Sequence, residues 1–140
     1  MLSLRLVLDT NIIVSAALKP DGLQRTVLLL AMTRPARLYV SAAILSEYRI
    51  VLSRPEFKIR KGLRQQFLQK IEDRSYVVIP SRQIHVMSDP DDNAFLECAD
   101  VARADYLVTG NLRHFPRFWK QTKIVTSREF ATLIAPHLLT

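Results

Sequence analysis

The chain has 140 residues, of which 49% are hydrophobic and 24% charged, which excludes a disordered polymer and fits one domain with a single core. One cysteine, Cys98, excludes an internal disulfide framework and fits a reducing compartment. The net charge of +7 favours a polyanionic partner without identifying it.

Residues 4–8 form a short apolar run that ends at Asp9 and suits a buried strand. The run is too short for a signal peptide, and no later stretch approaches the length of a membrane span. A cytoplasmic protein with no membrane partner is therefore expected. Residues 11–18 read as a helix. Pro20-Asp21-Gly22 breaks it, and Asp21 is placed to cap a second helix over about 22–33. A short strand follows at 38–40. Ser41 then caps a helix to about residue 53, and Pro55 stops it. Residues 60–73 read as a basic amphipathic helix, 76–79 as a strand and 92–103 as a helix. Two more strands fall at 106–109 and 123–125, and Ser127 opens the last helix. Strands alternating with helices of this length predict parallel strands joined by helical crossovers, a three-layer α/β/α sandwich within one domain, 1–140. In such folds the functional crevice lies beyond the carboxyl ends of the strands, where Asp9 and the turn Thr109-Gly110-Asn111 fall.

The acids divide by position. Glu47 has Ala43, Ile44, Ile50 and Val51 three and four residues away on its helix, all apolar, so the carboxylate needs a partner. A buried Arg or Lys would serve, and so would a metal ion. Asp9 at a strand end could simply cap the next helix, with Asn11 and Ser15 one turn apart beside it. In the segment DPDDN, Asp92 sits at the edge of an apolar stripe through Phe95, Cys98 and Ala99, and Asp91 ranks second. Glu97 and Asp100 fall on the polar face, and Asp105 suits a turn. His85, His114 and His137 are too scattered for a zinc site, and Cys98 reads as core. Several acids without a Cys/His pattern point to a hard cation, Mg²⁺ or Mn²⁺, and carboxylates with such a cation point to phosphoryl transfer.

Four stretches carry a family resemblance: LDTNIIVSA at 8–16, SEYRIVL at 46–52, DPDDNAFLECA at 89–99 and DYLVTGNLRHF at 105–115. In this order they resemble the motifs of PIN-domain proteins, and within that group the VapC-like toxins of toxin–antitoxin pairs. The resemblance implies an acidic pocket that binds Mg²⁺ or Mn²⁺ and hydrolyses RNA through a metal-activated water. It places Asp9, Glu47 and Asp92 as catalytic metal ligands, with Asn11, Ser15, Asp91, Thr109 and Asn111 in support. It also implies an antitoxin partner and a homodimer. The fourth motif departs from the family's Thr-x-Asp: Asn111 can offer a carbonyl oxygen but no charge.

Two basic clusters are candidates for the RNA path. Residues 54–70 include Arg54, Arg60, Lys61 and Arg64. The second, Arg113, His114, Arg117, Lys120 and Lys123, interleaves with Phe115, Phe118 and Trp119, a mixture suited to single-stranded nucleic acid, although core or edge packing explains these aromatics better and a solvated helix face competes for the first cluster. The alternative to a nuclease is a weakly active or inactive module of the same fold that binds nucleic acid or the antitoxin. An aspartyl phosphatase fits poorly, because Asn11 stands where a second acid is wanted.

Overall fold

The computed structural model describes residues 3–87 and 89–135, so His137 lies outside the described residues. The first strand, β1 (Arg5–Leu8), leads into α1 (Thr10–Leu18) and α2 (Leu23–Ala31). β2 (Arg37–Val40), α3 (Ala42–Leu52), α4 (Lys61–Arg74) and β3 (Ser75–Val77) follow. The second half contains α5 (Pro90–Ala102), β4 (Tyr106–Val108), the short β5 (Phe118–Trp119), β6 (Thr122–Val125) and α6 (Ser127–Ile134). The strands form one sheet in the order β3-β2-β1-β4-β6-β5, parallel throughout except for β5, which runs antiparallel to β6. The fold is thus a mainly parallel sheet flanked by helices, an α/β/α sandwich as expected.

Parallel strands covered on both faces must be apolar on both faces. Leu6, Val7, Leu8, Leu38, Val40, Leu107, Val108, Ile124 and Val125 are accordingly sealed from solvent. From β1 the chain steps to β2 and β3 on one side, whereas β4 and β6 lie on the other. The order therefore reverses between β1 and β4, the place where open α/β sheets leave a crevice. Asp9 follows β1 and donates its backbone N–H to Val108 O at 2.9 Å, and Thr109 follows β4 and donates to Val125 O at 2.9 Å. Both residues therefore stand at that crevice. Tyr48 on α3 is fully buried, and its hydroxyl donates to the Leu8 carbonyl, tying α3 to the end of β1.

The structure corrects several sequence expectations. Asp21 does not cap the second helix. Gly22 is the N-cap and no side chain bonds there. The Gly22 N–H closes a turn onto Lys19 O, and a Cβ at Gly22 would meet that oxygen at 3.3 Å. The helix therefore starts after the glycine, one residue too late for Asp21. α5 begins at Pro90 rather than Asp92, because Asp89 is the cap and accepts from Asp91 N at 3.0 Å. The strand placed at 76–79 ends at Val77. Val78 adds one bond to Val40 O, and Ile79 beyond it is 86% exposed. The last helix does open at Ser127 as expected, with Thr126 before it as the cap in a reciprocal box with Glu129. β5 was hidden from sequence reading because two residues carry no period. Among the described residues, no helix is long and apolar enough to cross a membrane.

The Tyr48 bond yields a stability prediction. Tyr48→Phe keeps the ring but leaves the Leu8 carbonyl without this donor, which should cost about 1–2 kcal/mol. A lower urea midpoint at unchanged slope is expected. An unchanged midpoint would show that the bond contributes nothing net.

Candidate active site

Asp9 is the anchor of the site. Its N-cap position at the start of α1 lets Oδ1 accept from Thr10 N at 2.8 Å, while Oδ2 accepts from the Thr109 hydroxyl at 2.7 Å. Only 6% of Asp9 is exposed, and among the described residues it has no salt bridge to Lys or Arg. Burial pushes its carboxyl above the usual range, against the lowering effect of the Thr109 and Thr10 bonds, and the nearby Glu47 adds to the rise. Thr109 also accepts from Asn111 N at 3.0 Å, so one buried hydroxyl links the end of β4 to the Asp9 carboxylate.

Glu47 is half-buried. Its Oε2 accepts from the Thr10 hydroxyl at 2.8 Å. The apolar stripe read around it is only half a core stripe. Ile44 and Val51 face inward, whereas Ala43 and Ile50 face solvent, Ile50 at 63% exposure. The buried line of α3 runs through Ile44, Tyr48, Val51 and Leu52, to one side of Glu47. The carboxylate therefore stands at the helix margin, where it can reach the crevice.

Asp92 lies in the first turn of α5, with its Oδ2 at 3.9 Å from His114 Nδ1. Desolvation is the main reason its carboxyl is pushed up to about 6, and the charges of Asp9, Asp89 and Glu47 add to the rise while His114 opposes it.

These side chains share one pocket, lined by Asp9, Thr10, Asn11, Ser15, Glu47, Asp89, Asp92, Asn111 and His114, with Val14, Val51, Arg54 and Phe57 completing its wall. Larger clefts run along α4, but the lining of each includes a single acid, Glu72 in one and Asp73 in the other.

Several sequence-predicted residues stand elsewhere. Asp91 is exposed and outside the pocket, because Asp89 took the capping position and turned Asp91 to the outer face of the first turn. Asn11 lines the pocket, but its Oδ1 accepts from Gly110 N at 3.1 Å, so it clips α1 to the turn after β4. A Cβ at Gly110 would meet the Asn11 side chain at 3.3 Å, which explains a glycine there. Arg60, Lys61, Arg64 and Arg113 do not line the pocket. Arg64 donates to Ile59 O, and Lys61 faces an α4 cleft. The second basic cluster is partly neutralised: Lys120 pairs with Asp100 at 2.8 Å and Arg117 with Glu129 at 3.1 Å. Glu97 and Asp100, expected on a solvent face, are half-buried. The segment before α5 folds over them, with Ile84 N bonded to Glu97 at 2.8 Å and Arg82 paired with Asp100. Among the pocket residues, sequence reasoning missed Phe57 and passed over Asp89 and Thr10, and it placed Arg54 and His114 only in the basic clusters. Asp89 was legible as a cap before proline.

The donor set fits a hard divalent cation. Its oxygens are carboxylate and amide, and the acids repel one another with no Lys or Arg bound to Asp9, Glu47 or Asp92 among the described residues. Among those residues, no group of three His, Cys, Asp or Glu side chains is drawn tightly enough to hold an ion alone. That openness suits an ion that keeps several waters and touches one or two carboxylates.

The sequence matches the PIN domain family over residues 5–113. It is 28% identical to an uncharacterized protein of Methanocaldococcus jannaschii, over 92% of this chain and 90% of that one. The structure resembles a chain of VapBC2 from Rickettsia felis, solved bound to a DNA fragment from their promoter. That match has a TM-score of 0.59 and 19% identity, and covers 86% of this chain and 98% of that one.

The raised Asp92 and Asp9 carboxyls predict how stability depends on pH. A carboxyl whose folded pKa is raised stabilises the fold while it stays protonated. That contribution is complete below about pH 4 and lost as pH rises through about 6. Asp100 and Glu129 are shifted down, so their contributions disappear only at lower pH. In chelator, the melting temperature should therefore be higher near about pH 5.5 than near about pH 7.5, and Asp92→Asn should flatten the difference. A steeper loss of stability on acidification, equal in both proteins, would contradict the arrangement.

Proposed function

The chain belongs to the PIN domain family, and from that membership and its acid pocket we propose that it is a metal-dependent endoribonuclease, the toxin of a toxin–antitoxin pair. PIN domains are generally nucleases, so hydrolysis of a nucleic-acid backbone is the coarse activity. One observation carries the finer reading. Carboxylates from the end of β1, the middle of α3 and the first turn of α5 face a single pocket with no Lys or Arg neutralising Asp9, Glu47 or Asp92 among the described residues.

Asp9, Glu47 and Asp92 would hold the cation, Mg²⁺ or Mn²⁺. When bound, such an ion supplies Lewis acidity and makes water a stronger nucleophile. The chain's own residues supply position. Thr109 and Thr10 N fix both oxygens of Asp9, and the Thr10 hydroxyl orients Glu47. Asn111 and Ser15 lie on the pocket wall, free to bond a water or a phosphate oxygen. With water as nucleophile, the products carry a 5′-phosphate and a 3′-hydroxyl. RNA as substrate rests on the motif resemblance together with the basic balance of the chain. The toxin role and an antitoxin partner draw on the likeness to VapBC2, and a homodimer of this chain rests on the motif resemblance alone.

Purified protein with Mn²⁺ should cut single-stranded RNA, and EDTA should stop it. Asp9→Asn, Glu47→Gln and Asp92→Asn should each lower the rate by at least about 100-fold. Thr109→Val, which removes a bond to Asp9, should cost about 10- to 100-fold. Equal residual cutting by the wild type and all variants would mean a contaminating nuclease. Products ending in a 2′,3′-cyclic phosphate would exclude water as the attacking group.

Asn111 supports a second reading, a module of the same fold that binds with little catalysis. An uncharged residue faces the pocket where the family motif carries an acid, and the carboxylates do not close unaided. Asn111→Asp separates the two. In a working nuclease it should tighten Mn²⁺ binding and raise cleavage at low metal, measured by calorimetric titration and rate. A variant that binds Mn²⁺ more tightly and still cuts nothing would favour the module.

A further inference from the structure

Two side chains on the pocket wall have no part in the hydrolysis described above. Arg54 and Phe57 both come from the turn after α3. Pro55 opens a single turn of 3₁₀ helix there, the Phe57 N–H donates to Arg54 O at 3.1 Å, and the Lys58 N–H donates to Pro55 O at 3.1 Å. Lys58 is held left-handed at φ 52°, ψ 35°, a conformation that a residue with a Cβ seldom adopts. The turn is therefore tightly specified. It sets Phe57 with one side packed on the core and the remainder on the pocket wall.

The charge of Arg54 is equally out of the ordinary. It is the one Lys or Arg lining a pocket that contains Asp9, Glu47, Asp89 and Asp92, yet among the described residues it forms no ion pair. A guanidinium placed beside acids but not closed on them remains free for an anion that enters from outside. Its planar fork matches phosphate oxygens. An adjacent aromatic face matches a base, and the combination of a cation with an aromatic platform suits single-stranded nucleic acid. Lys58, Arg60 and Lys61 are exposed just beyond and continue the positive charge away from the pocket.

We infer that Arg54 and Phe57 form a recognition lip for one nucleotide of single-stranded RNA beside the scissile bond, with Arg54 taking its phosphate and Phe57 stacking its base. This rests on the endoribonuclease reading and adds to it the two residues that would select an unpaired nucleotide, since a base inside a duplex cannot reach Phe57. The lip contacts substrate, not metal, so it acts whether or not the carboxylates are loaded.

The test is fluorescence anisotropy of a fluorescein-labelled oligouridylate with the full chain in EDTA, where nothing is cut. The wild type should bind. Phe57→Leu, which keeps the apolar packing, should weaken binding by roughly tenfold, and Phe57→Trp should retain it. Arg54→Ala should lower the slope of log affinity against log salt by about 0.7. Arg128→Ala, an equal loss of charge on the exposed surface of α6, should leave affinity near the wild-type value. A duplex of the same length should compete poorly. Melting curves on every variant separate lost recognition from lost folding. If the wild type cuts RNA with Mn²⁺ but Arg54→Ala and Phe57→Leu match it in anisotropy, salt slope and KM, the lip is wrong and the nuclease reading stands. If the wild type neither binds nor cuts, both readings fall. Variants that bind RNA normally but lose a co-expressed antitoxin would assign the lip to a protein contact and overturn the proposal.

Discussion

Asp9 carries an ionisable carboxylate into a nearly sealed position and satisfies it with neutral donors alone, a backbone N–H and the Thr109 hydroxyl. A buried carboxylate held in this way remains a weakly compensated charge, because neutral hydrogen bonds replace only part of its hydration. That condition shapes its surroundings. The two donors come from the ends of different strands, so the carboxylate can be satisfied only where β1 and β4 lie side by side. Adjacent β1 and β4 require the strand order to reverse between them, and the reversal opens the crevice. The same geometry that accommodates Asp9 thus provides a place for something to bind it.

The helices then add charge instead of removing it. Tyr48 fixes α3 against the end of β1, which brings Glu47 within reach of Thr10. The Asp89 cap and the proline after it start α5 early enough to put Asp92 in the first turn, near the same pocket. Each placement is locally favourable: a buried aromatic with a bonded hydroxyl, a capped helix, an acid near a positive helix end. Together they crowd like charges, and the raised Asp9 and Asp92 carboxyls express that crowding. A stability gain from neutralising any one of them would come at the expense of the site, a common relation between strain and function.

The sequence made the sheet and most helices legible because buried parallel strands and capped helices leave local signatures. The runs at Leu6–Leu8 and Leu107–Val108, the Ser41 cap and the acid at the end of β1 can all be read without neighbours. What could not be read depended on contacts made elsewhere. Glu97 and Asp100 look solvent-facing on a helical wheel, and the partners they have, Ile84 N for Glu97 and Arg82 and Lys120 for Asp100, come from segments folded over them. Asp91 and Asp89 are exchangeable by composition. The choice between them came from which residue reached the exposed N–H groups of α5. Ile50 is as apolar as Ile44, yet α3 is rolled so that one faces solvent and the other the core. For the site, Asp9, Glu47 and Asp92 were nameable from position and motif. Phe57 was not singled out and Arg54 was named only within a basic cluster, since nothing in the string RPEF says that its turn returns to a pocket wall.

The distribution of charge carries the last step. A chain at +7 that gathers four acids in one pocket must place its cations elsewhere, and where they go constrains what can approach. Asp100 and Glu129 engage Arg82, Lys120 and Arg117, so those cations are occupied in holding segments together. The cations of the turn after α3 and of the start of α4 have few such duties: Lys58, Arg60 and Lys61 are exposed, and among the described residues none pairs with an acid. A polyanion is therefore drawn to the α3–α4 side of the pocket and repelled by the uncovered acids at its centre. A divalent cation reverses that repulsion locally, without changing the approach. On the proposed nuclease reading, metal and strand act on different parts of the surface, so affinity for RNA should depend mainly on the basic turn and turnover on the acids.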